Sequence, residues 1–431
     1  MNKWVGVGLV GLGVVALGGP YLSGAEAETQ YYQVIDSLNK QTGITAISES
    51  YEKGYLGADA VTVIKIDRTE LDDELPQEVK LSTHISHGIS SVSAITHLVL
   101  DDAAKAEFKE LLGDKPPVEI VTKVNLLGDA SIVAITPEIN FTKEGGDETV
   151  SISVFHMTID VPSDHKQVKA NVSWPGMSVT GADGDALSIG KLSMVQTGSQ
   201  LTDYLWTSDM SMTLDSISGA DDGQKFDLKK LKVSSLTEEA TAGRINSSFE
   251  MTVDSVKFND DEFKNQKLVF ALRDLAVEEF DALMETIDKL EETAQISDPQ
   301  QQAMAQMEQF ARIGQDVTNL FNKGLKIDIS ELFVNTPKGD VNGKLHLEQP
   351  ESDVASGAGP AALLQATKGR LSLSVPVLLI EGGAPEMQQQ LDALLAQNFI
   401  VKEGEVYKTE ATLENMIINV NGTELPLPPL M

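Results

Sequence analysis

The chain has 431 residues, of which 65 are Asp or Glu and 33 are Lys or Arg, giving a formal net charge of −32, and it contains no cysteine. The missing thiols exclude disulfides, thiolate metal sites and cysteine nucleophiles, and a polyanion of this size disfavours nucleic-acid binding. At 41% apolar content the chain can bury a sizeable core, in two or three domains or in one long β-rich unit.

The first 28 residues, "MNKWVGVGLVGLGVVALGGPYLSGAEAE", carry no charge between Lys3 and Glu26. Residues 4–24 reach the length of about 20 residues that a helix needs to cross a bilayer. Lys3 ahead of the run and acidic residues behind it leave the N-terminus in the cytoplasm and the rest outside. The expectation is therefore an uncleaved anchor over 1–25; a cleaved signal peptide, with Ser23 and Ala25 before the cut, is the rival. "GVGLVG" (Gly6 to Gly11) fits a dinucleotide fingerprint by spelling, but no strand precedes it, and small residues in a membrane helix explain it better.

Behind the anchor, "ETQYYQVIDSLNKQTG" reads as a helix with Tyr32, Ile35 and Leu38 on one face and Gly43 as its stop. "SESYEKGYLG" (48–57) then reads as the corner where helix gives way to sheet. Tyr51 and Tyr55 would share a face if the helix continued, and Gly54 and Gly57 would permit positive φ. Alternating runs follow, among them "AVTVIKI", "VKLSTHIS", "VNLLGDASIVAI", "TVSISVFHMTIDV", "QVKANVSW", "GRINSSFEMTVDSVKF", "KGDVNGKLHLEQP" and "KGRLSLSVPVLLI". Their period of two, with turn signals such as "GADGD" and "NDDE" between them, predicts antiparallel sheet. In "TVSISVFHMTIDV" the apolar phase switches between Val154 and Phe155, which marks a bulge or a strand passing between sheets.

Four amphipathic helices are predicted: 101–113, 273–292 with Leu275, Phe280, Leu283, Met284, Ile287 and Leu290 on its stripe, 297–324, and 384–398. The third has Asp298 before Pro299 and an unusually Met-rich stripe that includes Met304, Met307 and Phe310. Methionine suits surfaces whose partners vary, and the opposite face is rich in Gln, so this stripe is the candidate interaction surface. Residues 349–369 are small and polar and read as a loop. The resulting fold is α+β and β-rich, an extended antiparallel sheet with a few amphipathic helices behind one transmembrane helix. Its expected regions are 1–25, 26–272, a helical pair over 273–324, and 325–431.

In this order of elements the chain resembles the YdgA-like family of bacterial envelope proteins, which has no assigned biochemical function. The resemblance is carried by Ser50, Tyr51, Gly54 and Tyr55 leading into a strand, by the His87-Gly88 turn, by "PPVEIVTKVNLLGDASIVAITPEI", and by "GRINSSFEMTVDSVKFNDDEFKNQKLVFALRDL". Ile89 stands where the family usually has Pro. The resemblance implies an inner-membrane protein with its bulk in the periplasm, and a homodimer.

No catalytic constellation is spelled out. His84 and His87 are three apart, which on a strand sends them to opposite faces, so a strand-end turn is preferred to a metal site. The Asp-Asp pairs at 72–73, 101–102, 221–222 and 260–261 adjoin predicted turns and read as caps or solvated carboxylates. No nucleophile elbow is present, so neither an enzyme, a cofactor nor a metal is expected. The leading expectation is a self-associating periplasmic scaffold or interaction protein held at the inner membrane. The alternative is a periplasmic hydrophobic-ligand or lipid binding and transfer protein with an apolar β groove.

Overall fold

The computed structural model describes residues 27–39, 44–66, 78–113, 115–143, 148–181, 184–221, 223–293, 296, 298–351, 365–381 and 385–426. The expected anchor (1–25), the "GVGLVG" stretch and most of the 349–369 loop lie outside them. Among the described residues no helix is long and apolar enough to cross a membrane. The chain divides into two compact units, Met1–Ser199 with Met212–Gly223, and Gln200–Ser211 with Gln224–Met431. Every described strand pairing is antiparallel, as the period-two runs require.

The first unit opens with helix α1 (Ala27–Leu38) and strands β1 (Ile44–Lys53), β2 (Gly57–Ile66), β3 (Glu78–His87) and β4 (Ser91–Val99). Helix α2 (Asp102–Leu112) follows, then β5 (Glu119–Asn125), β6 (Ala130–Ile135), β7 (Ile139–Thr142), β8 (Thr149–Ile152), β9 (His156–Val161) and β10 (Gln167–Trp174). The last strands are β11 (Met177–Thr180), β12 (Ala186–Ile189), β13 (Leu192–Gln200) and β14 (Trp206–Asp221), which runs across the division. One ladder runs β1-β2-β3-β4-β5-β6-β9-β10-β13. A second runs β7-β8-β11-β12-β14. The phase switch at Val154–Phe155 is the crossing point, because β8 belongs to the second ladder and β9 to the first.

Alternate side chains of the first ladder form its core, with Ile64, Ile85, Ile120 and Ile132 only 1–2% exposed. Helix α1 buries Tyr31, Ile35 and Leu38 against β1, β2 and β3. The expected face therefore shifts by one residue: Tyr31, four before Ile35, is inside, while Tyr32 is exposed. The opening corner is corrected too. A strand already begins at Ile44, so 48–57 joins strand to strand.

The second unit carries β15 (Gln224–Thr241), β16 (Arg244–Phe258) and β17 (Asp261–Ala276), then the helices α3 (Val277–Thr293) and α4 (Pro299–Asn322). Strands β18 (Leu325–Thr336), β19 (Gly339–Gln349) and β20 (Lys368–Pro376) come next, with α5 (Val377–Ile380) and α6 (Pro385–Ala396). The chain closes with β21 (Val401–Glu403), β22 (Val406–Glu414), β23 (Ile417–Val420) and β24 (Thr423–Pro426). The main ladder runs β15-β16-β17-β18-β19-β20-β22-β23-β24. Because β17 pairs with β18, the helical pair is an insertion between neighbouring strands, and residues on both sides of it build one ladder. Residues 273–276, expected as helix, end β17, and Leu275 packs in the core beneath the pair. Helix caps follow the sequence: Asp101 Oδ1 accepts from the Ala104 amide at 2.7 Å, and Asp298 Oδ1 from the Gln300 amide at 2.9 Å.

Candidate functional site

The sequence singled out Tyr51, Gly54, Tyr55, His87 and Gly88, and the fold gathers all five at one edge of the first unit. Tyr51 is near the end of β1, Gly54 and Tyr55 form the β1–β2 tip, and His87-Gly88 opens the β3–β4 tip. The His87 amide donates to the Leu56 carbonyl at 2.8 Å, joining the two tips. The glycines act by fit, since neither Gly54 nor Gly57 has the expected positive φ. A Cβ on Gly57 would lie 2.1 Å from the Ile85 carbonyl oxygen, and one on Gly88 would lie 2.9 Å from that of Ser91.

The β5–β6 tip stands beside them, because Ser91 pairs with Asn125. There the Asn125 side chain accepts from the Leu127 and Asp129 amides at 2.8 and 3.0 Å. Asp129 in turn accepts from the Ser163 amide at 2.9 Å, tying in the β9–β10 turn. The Asn125 amide group, and then the Ser163 amide, hold the Asp129 carboxyl below the usual carboxylate range. These tips present large apolar side chains to solvent: Tyr55 at 99%, Leu56 at 66%, Ile89 at 101%, Leu126 at 76% and Leu127 at 78% exposed. Sequence reasoning named Tyr55 and Ile89 as motif positions but missed Leu56, Leu126 and Leu127 and the grouping of all five, because turn residues carry no periodicity. The signal was the placement of apolar residues between turn glycines and strand ends.

Tyr51 does not stack with Tyr55. Its ring lies 5.1 Å from that of Tyr31 and 6.1 Å from that of Tyr32 on α1. Burial, with the Glu28 carboxylate next, raises the Tyr51 phenol above its ordinary range. His84 faces Asp59 across the ladder, Nδ1 to Oδ1 at 2.6 Å, and lies on the face opposite to His87. Among the described residues no group of three or more His, Asp or Glu is placed to hold a metal ion.

The second unit presents two further surfaces. In α4, Met304, Met307 and Phe310 are 68%, 72% and 62% exposed, while Leu320 and Phe321 of the same helix pack into the core with Phe280 and Leu283 of α3. The stripe read as continuous is thus divided: its C-terminal end is core and its N-terminal half is open. The two helices also share a polar contact, with the Thr286 hydroxyl donating to Asp316 Oδ2 at 2.6 Å.

The other surface is a sheet face. Register aligns Phe249, Phe270, Ile329, Leu345 and Leu371 in one row across β16 to β20, so all five share a face. Met251, Leu268 and Leu332 flank the row on one side, and Leu272, Ile327 and Leu347 on the other. Leu332 and Leu347 lie over Gly343 and Gly369, where an added Cβ would come within 3.0 and 2.9 Å of their methyl groups. At about 4.8 Å per strand the row spans about 19 Å. Its members are partly buried, with Leu371 the most open at 37%, and belong to none of the buried clusters, whereas Leu272 beside the row packs against the core under the helical pair. The opposite face is ionic: Lys267 meets Glu331 at 2.8 Å, Arg273 meets Asp328 at 3.2 Å, and His346 meets Asp328 at 2.6 Å. The Glu331 hydrogen bond raises the Lys267 ammonium above its usual range.

A β-rich, antiparallel-sheet protein with few helices, exposed apolar hairpin tips and, among the described residues, a partly exposed apolar row on one sheet face is the class these observations define. Residues 1–428 match the family described as "Bacterial protein of unknown function (DUF945)", and the chain belongs to that family. It is 26% identical over 308 residues to Protein YdgA of Escherichia coli (strain K12). The match covers 65% of this chain and spans 58% of that relative's length. The resemblance read from the sequence therefore holds. No solved structure matches the chain.

Proposed function

We propose that this protein binds a hydrophobic ligand, lipid acyl chains, along the apolar sheet face of its second unit, in a non-catalytic role. The row Phe249–Phe270–Ile329–Leu345–Leu371 carries the proposal. Side chains on a sheet face without a covering layer shield one another laterally to intermediate exposure, whereas a helix laid over the sheet drives them to near zero, as at Ile64 beneath α1 in the first unit. A span of about 19 Å is comparable to one leaflet's share, about 15 Å, of a bilayer's hydrocarbon. The ionic opposite face keeps such a sheet soluble while the apolar one is occupied. The uncharged run 4–24 behind Lys3 supports anchorage at the inner membrane with the two units in the periplasm, where acyl chains are within reach.

Photo-crosslinking tests this reading. A benzoylphenylalanine at Phe270 is expected to yield an adduct of phospholipid mass in cells. Adducts with protein alone would remove the lipid reading.

A second reading, a self-associating envelope scaffold, is favoured by the open half of α4. Met304, Met307 and Phe310 lie on a stretch whose Glu308 and Arg312 pair with each other at 2.8 Å. A neutral apolar stripe is where two copies of a chain carrying −32 charges could approach. Crosslinking that joins α4 to a second copy would support it.

A further inference from the structure

We infer that the hairpin-tip edge of the first unit rests in the interfacial layer of a lipid bilayer, with Tyr55, Leu56, Ile89, Leu126 and Leu127 as the inserted residues. In an antiparallel meander alternate connections fall at the same end of the sheet, so the β1–β2, β3–β4 and β5–β6 tips share one edge. All five large apolar residues in these tips are exposed. They are held by the Leu56–His87, Asn125–Leu127 and Asp129–Ser163 hydrogen bonds, so the edge is preorganised.

The chain upstream of α1 chooses the occupant. Helix α1 runs antiparallel to β1: Asn39 hydrogen-bonds Ala46, Tyr31 lies against Tyr51, and Glu28 pairs with Lys53 at 3.5 Å. The helix therefore begins at the tip edge. Residues 4–24, the uncharged apolar run, end three residues before Ala27, and three residues of extended chain reach at most about 11 Å. A bilayer holding that run would lie beside these tips. At the opposite end of the sheet stand Asp101 and Asp102, both exposed. The large negative charge of the chain argues against attraction to anionic headgroups, so contact relies on apolar side chains and is expected to be insensitive to salt.

The inference depends on the anchor for its orientation and not on lipid binding by the second unit. The absence of native cysteine allows a direct test with the full-length protein. Single variants Leu56→Cys, Ile89→Cys, Leu127→Cys and, as the reference, Asp102→Cys would carry an environment-sensitive fluorophore in phosphatidylcholine vesicles containing a spin-labelled lipid. Labels at 56, 89 and 127 are expected to shift to the blue and be quenched, with no change between low and high salt, while the label at 102 stays water-like. Vesicle-bound protein whose tip labels match that at 102 would overturn the tip contact and leave the anchor standing, with a protein partner then the occupant of this edge. Protein that fails to float with vesicles would overturn both.

Discussion

The amide of His87 donates to the carbonyl of Leu56 at 2.8 Å, fastening two hairpin tips that the ladder brings side by side. Gly57 makes this approach possible, since an added Cβ would sit 2.1 Å from the Ile85 carbonyl oxygen. Gly57→Ala is therefore expected to push β2 from β3 and to cost at least the ~1–3 kcal/mol of an overpacked site. Gly314→Ala on α4 is the counterpart, because a Cβ there has nothing within 4 Å. It should stabilise by ~0.5–1 kcal/mol through helix propensity. Thermal melting of the two variants should move in opposite directions.

Tyr31 locks α1 to the sheet. Its hydroxyl lies 2.8 Å from that of Thr62, and both residues are buried. Tyr31→Phe leaves Thr62 without this partner and should cost about 1–3 kcal/mol. Adding Thr62→Val should recover part of that loss, because the two sites act as a pair. Denaturant unfolding of both single variants and the double variant measures the coupling; additive losses would mean the hydroxyls do not interact.

The Tyr204 hydroxyl donates to Asp288 Oδ2 at 2.6 Å, and this bond pushes its phenol up to about 12. Unfolded tyrosine ionises near about 10, so above that pH the unfolded chain binds fewer protons than the folded one. Stability from this contact is present below about pH 10 and declines between there and about pH 12. Ultraviolet titration of the seven tyrosines should show a late component that Tyr204→Phe removes.

Met304→Lys with Met307→Lys should leave the fold intact, each change lying within about 0.5 kcal/mol, because both side chains are exposed. If α4 joins two copies, sedimentation should show the variant dissociating. A variant that sediments like the parent would exclude this stripe from self-association.

The capped helices were legible because their signals are local: Asp101 and Asp298 cap where they stand, and Gly113 ends α2 at φ +67°. Strand period two was equally plain, and the phase switch at 154–155 located the crossing between ladders. What escaped was set by tertiary contact. Strand β1, with Ser48, Glu49, Ser50 and Glu52, lacks an apolar alternation and is fixed by pairing with β2. Tyr31 and Tyr32 are adjacent, and only docking on Thr62 decides which is inside. Residues 273–276 fit a helical stripe, yet β18 pairs with Arg273 and β16 with Leu275 and Ala276, which holds the segment extended. The five motif residues could be named in advance, but the three-tip edge they belong to depends on register.

The open row of the second unit is tested most directly by native mass spectrometry of detergent-extracted protein. Ile329 and Leu345 are paired across β18 and β19, so Ile329→Lys with Leu345→Glu places opposite charges face to face and keeps the ladder supplied with a favourable pair. The parent protein is expected to retain phospholipid, and the double variant to lose it with an unchanged β-rich circular dichroism spectrum. A parent protein free of lipid, or a variant that keeps the same lipid load, would contradict the account.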